Sequence, residues 1–255
     1  MIGIITNNEH EVFQREVIAG VRRYADAKQY QLGIQHDLSN VESFMGVLVI
    51  ANVLPDDALQ TLYHSHKPVS LVSHQVADTP IPCVMPDNIG GISQLVDYLV
   101  MKCNRRRIIF IQGDMNQNDG KERTYAFRRQ LMRHNFKLDS VPLLRGDFIP
   151  SVAANSMREF LATGQQFDAV AAADYLMAIA AMDVLRETNL HVPEEICVVG
   201  FGDGAEAAAA NLTTVGVDVE EIGYRAARQL IGQIEGLQIR GATLLSTNIV
   251  ERDSC

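Results

Sequence analysis

Cysteine is scarce in this sequence. Its four copies, Cys83, Cys103, Cys197 and Cys255, fall without any C-x-x-C spacing, which fits reduced thiols better than a disulfide framework or a zinc site. Three of them sit in apolar stretches, where cysteine serves as core filler. Low-complexity sequence is missing too: 8 prolines and 18 glycines, set against 47% apolar and 21% charged residues, describe a chain that folds throughout. No apolar run approaches the length that spans a membrane. Met1 leads straight into Ile2-Gly3-Ile4-Ile5, leaving no room for the charged and apolar regions of an export signal, so a cytoplasmic location is expected. An excess of positive charge is also lacking. The formal net charge of -9 repels a polyphosphate backbone, so this segment itself is not expected to grip nucleic acid. The basic clusters Arg105-Arg106-Arg107 and Arg128-Arg129 have no interleaved aromatics and read as solvated turn and helix faces.

The motifs of common chemistries are equally absent. Gly200-x-Gly202-x-Gly204 follows a strand-like run but lacks the full dinucleotide-binding form, and there is neither a P-loop nor a G-x-S-x-G elbow. His64-x-His66 has no third ligand in view and reads as surface. The sequence therefore points away from an enzyme and implies no catalytic residue, no cofactor and no metal.

What is present is a rhythm. Short apolar runs (GIIT, QLGIQ, MGVLVIA, PVSLVS, IPCVM, RIIFIQG, FDAVAAA, ICVVGFG, TLLSTNIVE) alternate with longer amphipathic segments. The runs are nearly continuous in Val, Ile, Leu and Ala, as expected of strands buried on both faces in a parallel sheet covered by helices. The segments between carry helical stripes: Phe13, Val17, Val21 and Tyr24; Ile92, Leu95, Val96 and Leu99; Ile222, Ala226, Leu230 and Ile234. Gly236 and Pro193 supply stops. The pattern predicts an α/β fold, and 255 residues suffice for one large domain or two lobes of roughly 100 to 150 residues each. No internal repeat or linker composition marks a boundary.

Four stretches, taken in order, resemble the effector-binding core of LacI/GalR-family transcription regulators. IGIITNNEHEVFQREVIAGVRRYA resembles its opening strand and helix. VMPDNIGGISQLVDYLVMKCNRRRIIFIQG resembles its Val-Asp-Asn run, helix and Gly-His-Arg-Arg-Ile turn, with Asn104 and Arg105 replacing the glycine and histidine. KERTYAFRRQLMRHNF resembles its arginine-led helix. FDAVAAADYLMAIAAMDVLRETNLHVPEEICVVGFGDG with LTTVGVDVEEIGYRAARQLI resembles its most recognisable region. The resemblance covers nearly the whole chain. It implies two doubly wound parallel-sheet lobes of the type I periplasmic-binding-protein kind, joined by three crossovers, with a ligand cleft at the carboxyl ends of the strands. By that likeness residues 1–104 and 216–239 form the amino-terminal lobe, and residues 105–215 and 240–255 the carboxy-terminal one. No helix-turn-helix precedes Ile2, and the segment between Gln35 and Met45 is too short for a full second helix.

The same resemblance places the ligand-gripping arginine at Arg123, whose guanidinium suits paired hydroxyls or a carboxylate; the alternative is an exposed helix-start arginine beside Glu122. Asp174 stands where the family has a ligand-contacting asparagine, and equally suits a helix N-cap. Asp87 can reach the cleft or cap the helix at Ile92. Phe13 can stack on a sugar or base face or begin its helix's core stripe. Asn7, Gln117 and Asp119 are further loop candidates. Gly202 replaces an aspartate usual in the family, while Asp203 beside it survives. The implied function is a sensor for a small polar metabolite, a sugar or nucleoside, whose binding closes the lobes. DNA would be reached only through a missing head domain, with no membrane contact, and a homodimer is expected, paired partly through the helix of Ile179 and Met182. The alternatives are an input module of a larger signalling protein and a periplasmic solute receptor.

Overall fold

A computed structural model describes residues 1–255. Along the chain run β1 (Ile2–Ile5), α1 (Val12–Ala27), β2 (Leu32–Gln35), β3 (Val47–Ile50), α2 (Asp56–His64), β4 (Val69–Val72) and β5 (Cys83–Pro86). There follow α3 (Asn88–Asp97), β6 (Ile108–Gln112), α4 (Asn118–Arg133), β7 (Leu143–Arg145), α5 (Pro150–Ala162), β8 (Ala169–Ala172) and α6 (Tyr175–Glu187). The chain ends with β9 (Cys197–Phe201), α7 (Ala205–Ala209), β10 (Thr213–Gly216), α8 (Val219–Ile234), β11 (Ala242–Leu245) and β12 (Asn248–Val250). The alternation is that of an α/β protein, and it resolves into two compact units, Met1–Pro86 with Asp218–Leu245, and Asp87–Val217 with Ser246–Cys255. The chain passes between them three times.

The first unit holds a six-stranded sheet in the order β11-β5-β4-β3-β1-β2, parallel throughout. Its inner strands β1, β3, β4 and β5 are buried at every residue, which is why they read as unbroken apolar runs. The edge strand β2 is only half-buried, and Leu244 on the opposite edge is exposed. One core cluster gathers Val47, Val49, Leu59, Leu62, Leu71 and Met85. Elsewhere α1 and α8 lie so close that a Cβ on Gly20 would run into the Glu220 carbonyl, and one on Gly223 into that of Val17. Glycine is needed there for backbone approach. Between Gln35 and Met45 only a 3₁₀ turn at Val41–Ser43 forms, in keeping with the length available.

The second unit has the order β12-β10-β9-β8-β6-β7, parallel except that β12 runs antiparallel to β10. Phe110 of β6 stacks on Phe127 of α4 with ring centroids 4.3 Å apart. Three expectations need amending. Residues 87–104 and 216–217, expected in the amino-terminal lobe, cluster with this second unit, Ile92, Leu95, Val96 and Leu99 of α3 and the turn after it being buried in its core, while residues 240–245, expected in the carboxy-terminal lobe, cluster with the first. The run TLLSTNIVE, read as one strand, divides: β11 pairs with β5 in the first sheet and β12 with β10 in the second.

The third amendment concerns cysteine. Cys197 and Cys255, 58 residues apart, are paired as a disulfide. Sequence spacing reports only local pairs, whereas here the carboxy-terminal segment is laid beside β9: the Val198 amide donates to the Ser254 carbonyl at 2.8 Å, and the Ser254 hydroxyl donates to the Val198 carbonyl at 2.6 Å. No helix of the structure is long and apolar enough to cross a membrane.

Candidate functional site

The strand order places the carboxyl ends of β6, β8 and β9 side by side in the second unit. Three of the expected residues, Arg123, Asp119 and Asp174, meet around them. Arg123, one turn into α4, is buried rather than exposed, with 8% of its surface accessible. Its Nε donates to Asn88 Oδ1 at 2.8 Å, Nη1 to the Ala173 carbonyl at 2.8 Å, and Nη2 to Asp119 Oδ2 at 3.2 Å. Its guanidinium carbon lies 3.9 Å from the centroid of the Phe201 ring and 5.6 Å from that of Phe148, a stacked arrangement that arginine tolerates better than lysine. Asn88 completes the frame by donating to Asp119 Oδ1 at 2.9 Å and to Glu122 Oε2 at 2.8 Å.

Asp174 follows β8 directly. Its carboxylate accepts from the Leu176 and Met177 amides at 2.9 and 3.1 Å, capping α6, and its charge also acts on Arg123. Asp87 caps α3 through the Gly90 amide at 2.8 Å. For both residues the capping role is realised, and for Asp174 an electrostatic link to the arginine is added. Gln117 precedes α4 and donates to Asp114 Oδ2 at 3.1 Å.

Asp203 stands in a different arrangement. Its two oxygens accept from Arg252 at 2.7 and 2.9 Å, and Oδ1 also accepts from the Thr214 hydroxyl at 2.8 Å. The carboxylate thus ties the carboxy-terminal segment to β10. Gly202 beside it has φ +89, a left-handed backbone, and a Cβ there would lie 3.0 Å from the Tyr175 ring. Glycine fits this position where an aspartate would be strained and crowded.

The first unit carries its own polar set at the carboxyl ends of β1, β3 and β4. Asn7 Oδ1 accepts from Gln14 Nε2 at 2.6 Å, and the buried Thr6 hydroxyl donates to Gln14 Oε1. Phe13 is half-buried at the start of α1, which Glu11 caps through the Phe13 and Gln14 amides. Sequence reasoning missed His74, which is buried with Nε2 2.7 Å from Asp56 Oδ1 and Nδ1 3.2 Å from the Ala51 carbonyl. It also missed Ser73, whose hydroxyl is buried without a hydrogen-bond partner. Ser73 and Ala51 both have positive φ, 51° and 50°. The signal was available in part: Ser73 and His74 directly follow an apolar strand, where polar residues line the crevice of parallel sheets.

Burial pushes the Arg123 guanidinium down from its usual range, opposed by the neighbouring Asp119, Asp174 and Glu122. Glu122 is pushed up, chiefly by burial, against the hydrogen bond from Asn88. Asp119, Glu122 and Asp174 thus gather around one guanidinium, three carboxyl groups against one cation. Such a surface accepts hydroxyl hydrogens and repels anions. Nothing in it is arranged as a nucleophile with an adjacent base.

The chain as a whole has counterparts among known proteins. Residues 96–255 match the family described as periplasmic binding protein-like domain. The chain belongs to that family. Among curated relatives of this periplasmic binding protein-like chain, the HTH-type transcriptional regulator CelR of Thermobifida fusca is 33% identical over 202 residues, covering 78% of this chain and 58% of CelR. The HTH-type transcriptional repressor PurR of Erwinia tasmaniensis is 26% identical over 269 residues, covering 99% of this chain and 79% of PurR. The chain therefore spans somewhat over half the length of the first relative and four-fifths of the second. Among solved structures, the CelR–cellobiose complex superimposes with a TM-score of 0.89 at 28% identity, covering 100% of this chain and 84% of that one. The lac repressor dimer bound to operator shares the fold, with a TM-score of 0.90 at 20% identity over 99% of this chain and 93% of that one. The LacI-type effector core expected from four stretches of sequence is thus the fold observed.

Proposed function

We propose that this chain is the effector-sensing part of a LacI-type transcription regulator and that it binds a neutral, hydroxyl-rich small molecule, a sugar before a nucleoside. The observation that carries the reading is the buried Arg123 lying over Phe201 and framed by Asn88 and Asp119, with Asp174 beside it, at the carboxyl ends of β6, β8 and β9. A guanidinium held over a buried ring and flanked by convergent carboxylates suits the hydroxyl rim of a sugar. CelR, named in complex with cellobiose, makes β-linked disaccharides the first compounds to try.

Arg123, Asp119 and Asp174 form the proposed contact set, with Asp87 and Gln117 of the same unit beside them, and Asn7 and Phe13 are the candidates that the first unit offers at its own strand ends. Asp203 supports the fold through Arg252. Binding is the whole chemistry: a ligand with higher affinity for one conformation shifts the population toward it, and no bond is made or broken. DNA contact belongs to a head domain outside these residues, and the working form is a homodimer. Met182, expected on the pairing surface, is turned into the unit's own core with 4% exposure, which leaves half-buried Ile179 as the residue of that pair able to reach a partner.

Thermal-shift measurements with cellobiose, other mono- and disaccharides and nucleosides test the reading. One compound class should raise the Tm in proportion to the logarithm of its concentration. Asp174→Asn, which keeps the helix cap, should abolish that shift. If no compound stabilises the protein, or if the variant responds as the wild type does, the assignment fails.

A further inference from the structure

Away from these strand ends, the second unit brings together three sulfur atoms. Cys103 lies on the turn after α3, Cys197 opens β9, and Cys255 sits in the carboxy-terminal segment. Their Sγ atoms all lie within 4.8 Å of one another. Cys197 is buried and the other two are half-buried.

Each position is held by backbone bonds independent of the sulfurs. Cys103 donates its amide to the Tyr98 carbonyl at 3.0 Å. Cys255 follows Ser254, whose hydroxyl accepts from the Thr213 amide at 2.8 Å, and the Cys255 carbonyl accepts from the Tyr98 hydroxyl at 3.3 Å. A disulfide between Cys197 and Cys255 uses two sulfurs. It leaves unexplained why a third, from a separate segment, is placed 3.4 Å from Cys255 Sγ.

We propose that, when reduced, Cys103, Cys197 and Cys255 form a three-thiolate site for a soft d¹⁰ divalent cation, zinc(II) in the first instance. Three sulfurs bound at about 2.3 Å to one zinc ion stand roughly 3.8 Å apart in tetrahedral geometry, within the span observed. Opening the Cys197–Cys255 pair to that separation is a side-chain rotation. The donor set is all sulfur, since the nearby Glu251 carboxylate is engaged by Lys102, which favours zinc or cadmium over magnesium or calcium. The two half-buried sulfurs leave one side of the ion open to a fourth ligand from solvent.

Two conversions link the states. A phosphine or thiol reductant supplies the two electrons, and solvent the two protons, that turn the disulfide into two thiols. Binding then releases the thiol protons to solvent as three sulfur–metal bonds form, with no electron transferred. Because binding displaces thiol protons, affinity should rise with pH. Disulfide and metal exclude each other, which makes the site responsive to redox conditions.

The test is cadmium(II) titration of the phosphine-reduced chain, followed in the ultraviolet. A sulfur-to-cadmium charge-transfer band should saturate at one equivalent, be removed by excess chelator, and appear when cadmium(II) is added to the zinc(II)-loaded chain. Cys103→Ser and Cys255→Ser, at the two half-buried positions, should each reduce the band and weaken binding at least about 100-fold, since even loss of an outer partner of a metal ligand costs roughly 10- to 100-fold. Cys83→Ser, in β5 of the other unit, should change nothing, and the air-oxidised protein should give no band until reduced. Absence of a band in the reduced wild type, or an undiminished band in Cys103→Ser, overturns the proposal. The readout needs no effector, so its outcome is separate from that of the sensing assay.

Discussion

Removal of the Arg123 guanidinium would strand Asn88 Oδ1, Asp119 Oδ2 and the Ala173 carbonyl without their donor. The residue therefore organises the strand ends as much as it contacts anything placed there. Arg123→Ala should cost about 3–5 kcal/mol, the range for breaking a buried ion pair from one side, read as a lower urea midpoint. Arg123→Lys should recover little of it, because a single ammonium cannot reproduce a planar fork with three separate acceptors above an aromatic ring. Glu122 offers a complementary test. Its folded-state pKa is raised above the unfolded value, so its stabilising effect is complete below the ordinary carboxylate range and is lost as pH climbs through the raised value. Thermal melts across mildly acidic to neutral pH should show wild-type stability falling over that interval relative to Glu122→Gln, whose amide oxygen still accepts from Asn88. At this scale the sequence disclosed residue types and the arginine's position. It did not disclose that Arg123 is buried, because burial arises from α3 and β9 closing over it, or that His74 meets Asp56 and the Ala51 carbonyl, because those partners come from α2 and the end of β3.

Elements were more legible than side chains. The unbroken apolar runs marked the inner strands, since burial on both faces removes the alternation that a solvent-facing strand would show. Half-exposed three-residue β7 escaped notice for the opposite reason. The stripe on α3 identified a buried helix correctly, but periodicity says only that a face is covered and not by which sheet, so its assignment to the first unit needed correction. The glycines of the α1–α8 contact went unread, because a close approach between helices roughly 200 residues apart leaves no local trace. Their importance is measurable. Gly223→Leu should force those helices apart and destabilise the chain by about 1–3 kcal/mol or more, seen as an early denaturant transition with α-helical circular dichroism retained below it.

For the whole molecule, the fold class followed from the apolar rhythm of the sequence and the division into two sheets from the family resemblance, while the boundaries followed only from contacts. The assembly is still to be read in solution. Sedimentation should give twice the 28.2 kDa of one chain, and Ile179→Glu should return it to one. An unchanged mass for that variant, with its fold intact by circular dichroism, would remove α6 from the pairing surface.

The three passages of the chain, after Pro86, Val217 and Leu245, carry a further consequence for dissection and for evolution. Neither unit is a contiguous stretch, so no single truncation yields an intact half. Excising the first would require splicing residue 86 to residue 218. A nick at any one passage leaves two other covalent ties in place. Neither unit can therefore be inherited alone as one contiguous segment of gene.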